Sequence, residues 1–184
     1  MRRFWRRLLP RRQRLIPFWV IAGFAIAAPW LLEEDGRLGD WLRAAEQGTL
    51  AVCQRSSVYD GDTVRANCDG EQTKIRLQCI DTPEMQQRPW GRESRDALRA
   101  LLPPTFEMRQ VDTDRYGRVV AIVYDPADNT ELNLLMVAKG QAAVYPQYCN
   151  DQRYYAAQDK AQAASLGIWS QPGDHQQPWV WRRR

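Results

Sequence analysis

Three short stretches of this 184-residue chain carry residue types that could do chemistry together. They are Asp60-Gly61-Asp62-Thr63, then Arg76 followed by Asp81-Thr82-Pro83-Glu84, then Asp114-Arg115-Tyr116-Gly117-Arg118. Asp62 and Asp81, with a backbone carbonyl nearby, make an oxygen-only donor set. Such a set suits a hard divalent cation, and calcium accepts irregular oxygen geometry where magnesium demands a stricter octahedron. Glu84, three residues beyond Asp81, is spaced to activate a water beside that cation. Arg76 and Arg118 offer planar guanidinium forks that bind two oxygens of a phosphate at once and stabilise charge developing on it. Each residue also has an ordinary structural role. Asp60 and Asp62 are turn formers, Asp81-Thr82-Pro83-Glu84 is a common helix opening, Arg118 suits an exposed strand position and Tyr116 ordinary barrel packing.

What the chain lacks narrows the chemistry. Its one histidine, His175, lies in a tail rich in Gly, Gln and Pro. Ser-His-Asp and Cys-His catalysis and His-based zinc sites all need a histidine inside the fold. The four cysteines, 53, 68, 79 and 149, include no CxxC spacing, which argues against a zinc knuckle. The net charge of +4 comes from the ends: residues 1–14 hold seven Arg and no acid, and Arg182, Arg183 and Arg184 close the chain. Residues 48–181 carry −3. A mildly acidic body is no broad electrostatic footprint for nucleic acid, so any such attraction falls to a few placed cations and a metal.

The elements that must position these residues begin with three strands. Residues 52–59, 64–68 and 73–80 alternate in polarity and are separated by the turn signals Asp60-Gly61 and Asp69-Gly70, which predicts an antiparallel meander. Positions equidistant from the first turn face each other, which sets Cys53 opposite Cys68 and suggests a cross-strand disulfide; Cys79 and Cys149 would be the remaining pair, with small buried thiols as the alternative. The same counting about Asp69-Gly70 sets Arg76 opposite Val64, on the face of Asp62, with Asp81 just past the strand end. A helix is expected over residues 90–102, stopped by Pro103-Pro104. Strands at 106–111 and 118–124 follow, then a helix capped by Thr130 and ending at Gly140, and one capped by Asn150 and running to Ser165. From Ser170 the chain reads as loop. The expected class is mainly β with flanking helices (α+β): a five-stranded oligonucleotide-binding-type β-barrel with about three helices.

One N-terminal hydrophobic helix is expected before the barrel. Residues 1–14 are an Arg-rich flank, 15–32 run without a charge, and Glu33, Glu34 and Asp35 follow. This pattern reads as a transmembrane signal anchor with its N-terminus cytoplasmic and the body outside. A cleaved signal peptide is the alternative, with Ala25-Ile26-Ala27 as its processing site and a secreted product. The remaining divisions are a connector at 33–48, the main domain at 49–170 and a basic, aromatic tail at 171–184. Export would put the cysteines where disulfides form.

Taken together, in this order and spacing, the three motifs resemble the staphylococcal nuclease (thermonuclease) family. The resemblance runs from about Val52 to Gly167-Ile168-Trp169 and leaves the leader and tail outside it. It implies an oligonucleotide-binding-type barrel and Ca²⁺-dependent hydrolysis of DNA and RNA to 3′-phosphate ends. By matching position it makes Asp62, Asp81 and the Thr82 carbonyl ligands of Ca²⁺, Glu84 the general base, and Arg76 and Arg118 the phosphate-binding stabilisers. Tyr116 and Arg115 fall where the family meets its substrate, and Tyr145 or Tyr148 where a base would stack, a contact of roughly 1–3 kcal/mol that tolerates any sequence. Two departures stand out: residues 85–92 are shorter than the family's loop there, and Pro146 alters the spacing of the aromatic pair. The expected partners are DNA and RNA as substrate and the membrane through the N-terminal segment, with no obligate protein partner evident. A non-catalytic nucleic-acid- or protein-binding module of the same fold is the alternative, and retention of all five charged site residues favours the enzyme.

Overall fold

Apolar side chains at every second position fold the first three strands onto one core. In the computed structural model, which describes residues 50–184, β1 (Ala51–Val58), β2 (Thr63–Cys68) and β3 (Glu71–Leu77) form the expected meander. Cys53, Val58, Val64, Ala66, Ile75 and Leu77 are buried, while Gln54, Arg65 and Lys74 face outward. Asp69 and Gly70 both take positive φ, 52° and 90°, the mirror-image turn whose twist matches the strands it joins. Then come β4 (Ile80–Asp81), α1 (Trp90–Leu101), β5 (Thr105–Thr113), β6 (Val119–Asp125), β7 (Thr130–Glu131), α2 (Leu132–Ala138), β8 (Ala143–Val144) and α3 (Gln152–Ala163).

The main sheet runs β3-β2-β1-β5-β6-β7, and β3 also pairs with β6 in parallel. That last pairing closes five strands into the expected barrel and removes the exposed edges an open sheet would leave. Phe106, Met108, Ala121 and Val123 fill it, and Leu98, Met136 and Tyr154 bring α1, α2 and α3 against the same core. Asn133 of α2 is wholly buried and satisfied: its amide donates to the carbonyls of Gln78 and Ala121, and its oxygen accepts from Val123 N–H.

Both disulfides form. Cys53 pairs with Cys68 across β1 and β2, as their facing positions require. Cys79–Cys149 ties the β3–β4 corner to the segment after β8, closing a sequence separation of 70.

Several local expectations shift. Arg76 lies opposite Thr63, not Val64, because Cys68 and Glu71 close a two-residue turn and the whole ladder moves by one. Thr130 pairs with Asp125 in β7, so its backbone is extended and Glu131 takes the N-cap of α2. The N-cap of α3 is Asp151, whose carboxylate accepts the Arg153 N–H, in place of its neighbour Asn150 with the same capping chemistry. Arg118 precedes β6 instead of beginning it. The tail is no loop. It makes 3₁₀ turns at Gly167–Trp169 and Asp174–Gln176 and a short helix α4 (Pro178–Trp181). His175 is buried there, stacked on Trp90 at 4.3 Å with Nε2 at 2.9 Å from the Ile168 carbonyl, away from the acidic residues. The expected hydrophobic helix at 15–32, its flank and the connector lie outside the described residues, among which no helix is long and apolar enough to cross a membrane.

Candidate active site

The turn after β1 is pressed against the strand carrying Asp81. A Cβ on Gly61 would sit 2.8 Å from Thr82 Cγ2 and 2.7 Å from Ser94 Cβ, so glycine alone permits this approach. Asp62, at the start of β2, is fixed by that contact. Its Oδ2 accepts from both the N–H and the hydroxyl of Thr82 at 3.0 Å, and its Oδ1 accepts from the Thr63 hydroxyl at 3.0 Å. Asp60 Oδ1 accepts the Asp62 N–H at 3.0 Å, closing an Asx turn.

Arg76 joins the two buried acids. Its Nη1 stands 3.2 Å from Asp62 Oδ2 and its Nη2 donates to Asp81 Oδ1 at 2.9 Å, with the Asp81 side chain wholly buried. Asp81 Oδ2 is taken by a residue from the far end of the chain: Arg182 donates to it through Nη2 and to Glu84 Oε1 through Nη1, both at 2.7 Å. Glu84 itself sits in a tight turn, its N–H donating to Gln87 Oε1 at 2.9 Å and its carbonyl accepting the Gln87 N–H at 2.8 Å.

Arg118 is aimed by Asp114. The Asp114 carboxylate accepts from Arg118 Nε at 2.6 Å and from the N–H groups of Tyr116 and Arg118 at 2.9 Å. The turn between them uses Gly117 at φ 76°. Tyr116 is strongly exposed, with the Arg115 and Arg118 guanidinium carbons 4.8 and 5.7 Å from its ring centre.

These groups share one cleft of about 950 Å³. Asp62, Arg76, Asp81, Glu84, Arg118 and Arg182 line it, as do Thr82, Arg115, Tyr116, Tyr145 and Tyr148. Every site residue expected from the sequence is therefore brought to one place. Tyr145 meets Tyr148 edge-on at 4.9 Å and is stacked on its face by Trp179 at 5.4 Å.

Two carboxyls of the cleft are held well above the ordinary carboxylate range. Burial, then the neighbouring Asp62, pushes the Asp60 carboxyl up to about 7. The same two causes push Asp81 up to about 6, even though Arg76 and Arg182 pull it down. Asp114 behaves oppositely: partial burial works against its charge, but the hydrogen bonds from Arg118 and Tyr116 hold it below the usual carboxylate range. Among the described residues no three His, Cys, Asp or Glu side chains form a ready metal cage. The donor chemistry still fits a hard cation. Asp62, Asp81 and the Thr82 carbonyl offer oxygen alone, water can complete the shell, and the raised carboxyls mark a cluster that a cation would relieve.

Sequence reasoning missed Arg182 and Trp179. Their signal was Trp-Val-Trp-Arg at 179–182, an aromatic run that a solvated tail has no need of. Asp114 was quoted within its motif, but its hold on Arg118 appears only in three dimensions.

The sequence profile of the family described as "Staphylococcal nuclease homologue" matches residues 74–171, which takes in Arg76, Asp81, Glu84 and Arg118 and begins after Asp62. An "Uncharacterized endonuclease" of Escherichia coli is 38% identical over 128 residues, 69% of this chain and 82% of that protein. A "Micrococcal nuclease" of Shigella flexneri is 33% identical over 136 residues, 68% of this chain and 77% of its own. A "Thermonuclease" of Staphylococcus hyicus is 32% identical over 161 residues, covering 82% of this chain and 94% of its own.

Proposed function

The chain belongs to the staphylococcal nuclease family, and on that premise we propose that it is a Ca²⁺-dependent, sugar-nonspecific endonuclease that hydrolyses DNA and RNA to 3′-phosphate products. The observation that carries this reading is the meeting of Asp62, Arg76, Asp81, Glu84 and Arg118 in one cleft, from four separate segments of chain. Relatives named endonuclease, micrococcal nuclease and thermonuclease support phosphodiester hydrolysis as the reaction.

The substrate phosphate sits between the guanidinium groups of Arg76 and Arg118, which hold its non-bridging oxygens and strengthen their grip as negative charge builds there. Asp114 keeps Arg118 in that orientation by occupying its Nε. Glu84 accepts a proton from the attacking water. The new P–O bond forms as the P–O5′ bond breaks, which leaves the phosphate on the 3′ side, and the departing O5′ takes its proton from solvent. Asp62, Asp81 and the Thr82 carbonyl would hold Ca²⁺, which when bound would supply positive charge to the phosphate and lower the pKa of nearby water. Tyr116 and Arg115 face the phosphate, and Tyr145 and Tyr148 offer rings to a base.

The barrel works outside the cytoplasm on this reading, attached through residues 15–32 or released after their cleavage. The two disulfides, Cys53–Cys68 and Cys79–Cys149, support an oxidising compartment.

The test is cleavage of plasmid and single-stranded DNA by the purified protein with Ca²⁺ or with a calcium chelator. Ca²⁺-dependent nicking that falls by two orders of magnitude or more in Glu84→Gln is expected, about the contribution of a positioned general base. Full activity in the chelator, or in Glu84→Gln, would reject the mechanism. Binding without cleavage would favour a non-catalytic binding module instead.

A further inference from the structure

The C-terminal segment meets residues of the cleft at two points, Tyr145 and the acids Asp81 and Glu84, and each coincides with a place the reaction needs. Trp179 and Arg182 lie three residues apart across the single turn of α4, so both side chains project to one side. Trp179 lies nearly parallel to Tyr145, at 11°, and covers a ring face that a base would otherwise use. Arg182 takes the Asp81 oxygen that Arg76 leaves unused, and its other nitrogen takes Glu84. The segment does not hang loose. Pro178 is buried, His175 stacks on Trp90, and Arg184 pairs with Asp174. Fixed in this way, it delivers Arg182 to the acids at little further ordering cost.

A guanidinium 2.7 Å from both Asp81 and Glu84 repels a divalent cation approaching the same oxygens and engages the group that must receive the proton from water. We propose that residues 178–182 are a built-in occupant of the cleft, with Arg182 standing in for a divalent cation and Trp179 for a nucleobase, so that cation and substrate bind by displacing them. The inference rests on the nuclease reading of the cleft and adds to it a competitor that the chain itself supplies. Its consequence is a rise in the Ca²⁺ concentration needed for activity, with cation and nucleic acid helping each other to bind because both eject the same segment.

The test is calorimetric titration of the whole protein with Ca²⁺ alone, for wild type, Arg182→Ala and Arg183→Ala. Arg183 is exposed and carries the same charge, so its removal controls for the general loss of one positive charge. Arg182→Ala should bind Ca²⁺ about tenfold more tightly, as expected if the segment fills the site roughly nine-tenths of the time. Arg183→Ala should change affinity less than about twofold, the scale of an exposed charge. In a second arm, fluorescence anisotropy with a labelled single-stranded oligonucleotide in chelator should show Trp179→Ala binding several-fold more tightly. Arg182→Gln keeps the length of the stem and replaces the alanine variant if that one loses its folded barrel. Unchanged or weaker Ca²⁺ binding in Arg182→Ala would overturn the competition, and weaker oligonucleotide binding in Trp179→Ala would make Trp179 part of the platform instead of its cover. Absence of Ca²⁺ binding in every variant would overturn the inference together with the calcium reading. Equal binding in all of them would overturn the inference alone.

Discussion

Replacing Asp114 by alanine deletes the acceptor of three hydrogen bonds at once, from Arg118 Nε, the Arg118 N–H and the Tyr116 N–H. The Arg118 and Asp114 side chains are 25% and 19% exposed, which places their pair between a buried ion pair and a surface one. A charge-assisted hydrogen bond contributes about 1.5–3 kcal/mol when shielded, and an exposed pair about 0.2–1 kcal/mol, so roughly 1 kcal/mol is appropriate here. Loss of the two backbone contacts resembles loss of a helix cap and adds about 1 kcal/mol. Asp114→Ala should therefore destabilise the fold by about 2 kcal/mol, read as a lower urea midpoint. Asp114→Asn keeps an oxygen for the backbone and should cost about half as much. Because Asp114 titrates below its unfolded value of 3.8, its contribution is fully present above that pH and is lost as pH falls through the lower folded value. The gap between wild type and Asp114→Asn should accordingly be complete at neutral pH and close in acid. In the cleavage assay at saturating Ca²⁺, an unaimed Arg118 should lower kcat by one to two orders of magnitude, since small misplacements of a charge stabiliser are expensive. The double variant Asp114→Ala/Arg118→Gly decides whether Asp114 acts through Arg118. It should be no slower than Arg118→Gly alone, and additive losses, or a wild-type kcat in Asp114→Ala, would refute the reasoning.

Arg76→Ala leaves Asp62 and the wholly buried Asp81 without their shared cation. The metal-free fold should lose about 3 kcal/mol, with part restored by Ca²⁺, as compared by urea unfolding in chelator and in calcium. A Cβ on Gly91 would stand 2.1 Å from the Glu84 carbonyl oxygen, so Gly91→Ala must displace the turn that holds Glu84. Cleavage at a temperature where the variant is fully folded should drop at least tenfold while stability falls by about 1–3 kcal/mol, and an unaffected rate would free Glu84 from that turn. Asp60 and Asp81 titrate in the folded protein near 7 and 6, above the unfolded 3.8, so the metal-free fold binds extra protons across that interval and its stability falls as pH rises through it. Tm in chelator should be higher at pH 5 than at pH 8, and Ca²⁺ should narrow the difference; a Tm that climbs steadily with pH would contradict the raised carboxyls.

The sequence by itself determined the strand meander, the Cys53–Cys68 bridge and which charged residues to look for in one cleft. These depend on short-range rules: side chains alternate every two residues, a two-residue turn sets which positions face each other, and a motif keeps its residue types in order. The same locality explains its errors. A turn miscounted by one moved Arg76 from Thr63 to Val64. Asp151 took a cap that its neighbour Asn150 was equally able to fill, and pairing with Asp125 drew Thr130 into β7 and left Glu131 at the other cap. The tertiary structure alone decided what the site residues hold. Asp62 is fixed by Thr82, twenty residues away, only because Gly61 lets the two segments touch. Arg182 reaches Asp81 and Glu84 across about a hundred residues because barrel closure, the Cys79–Cys149 bridge and the His175–Trp90 stack fold the tail back over the cleft. Such a contact follows from the summed geometry of every element between its ends, and no local pattern in Trp-Val-Trp-Arg records where that geometry leads.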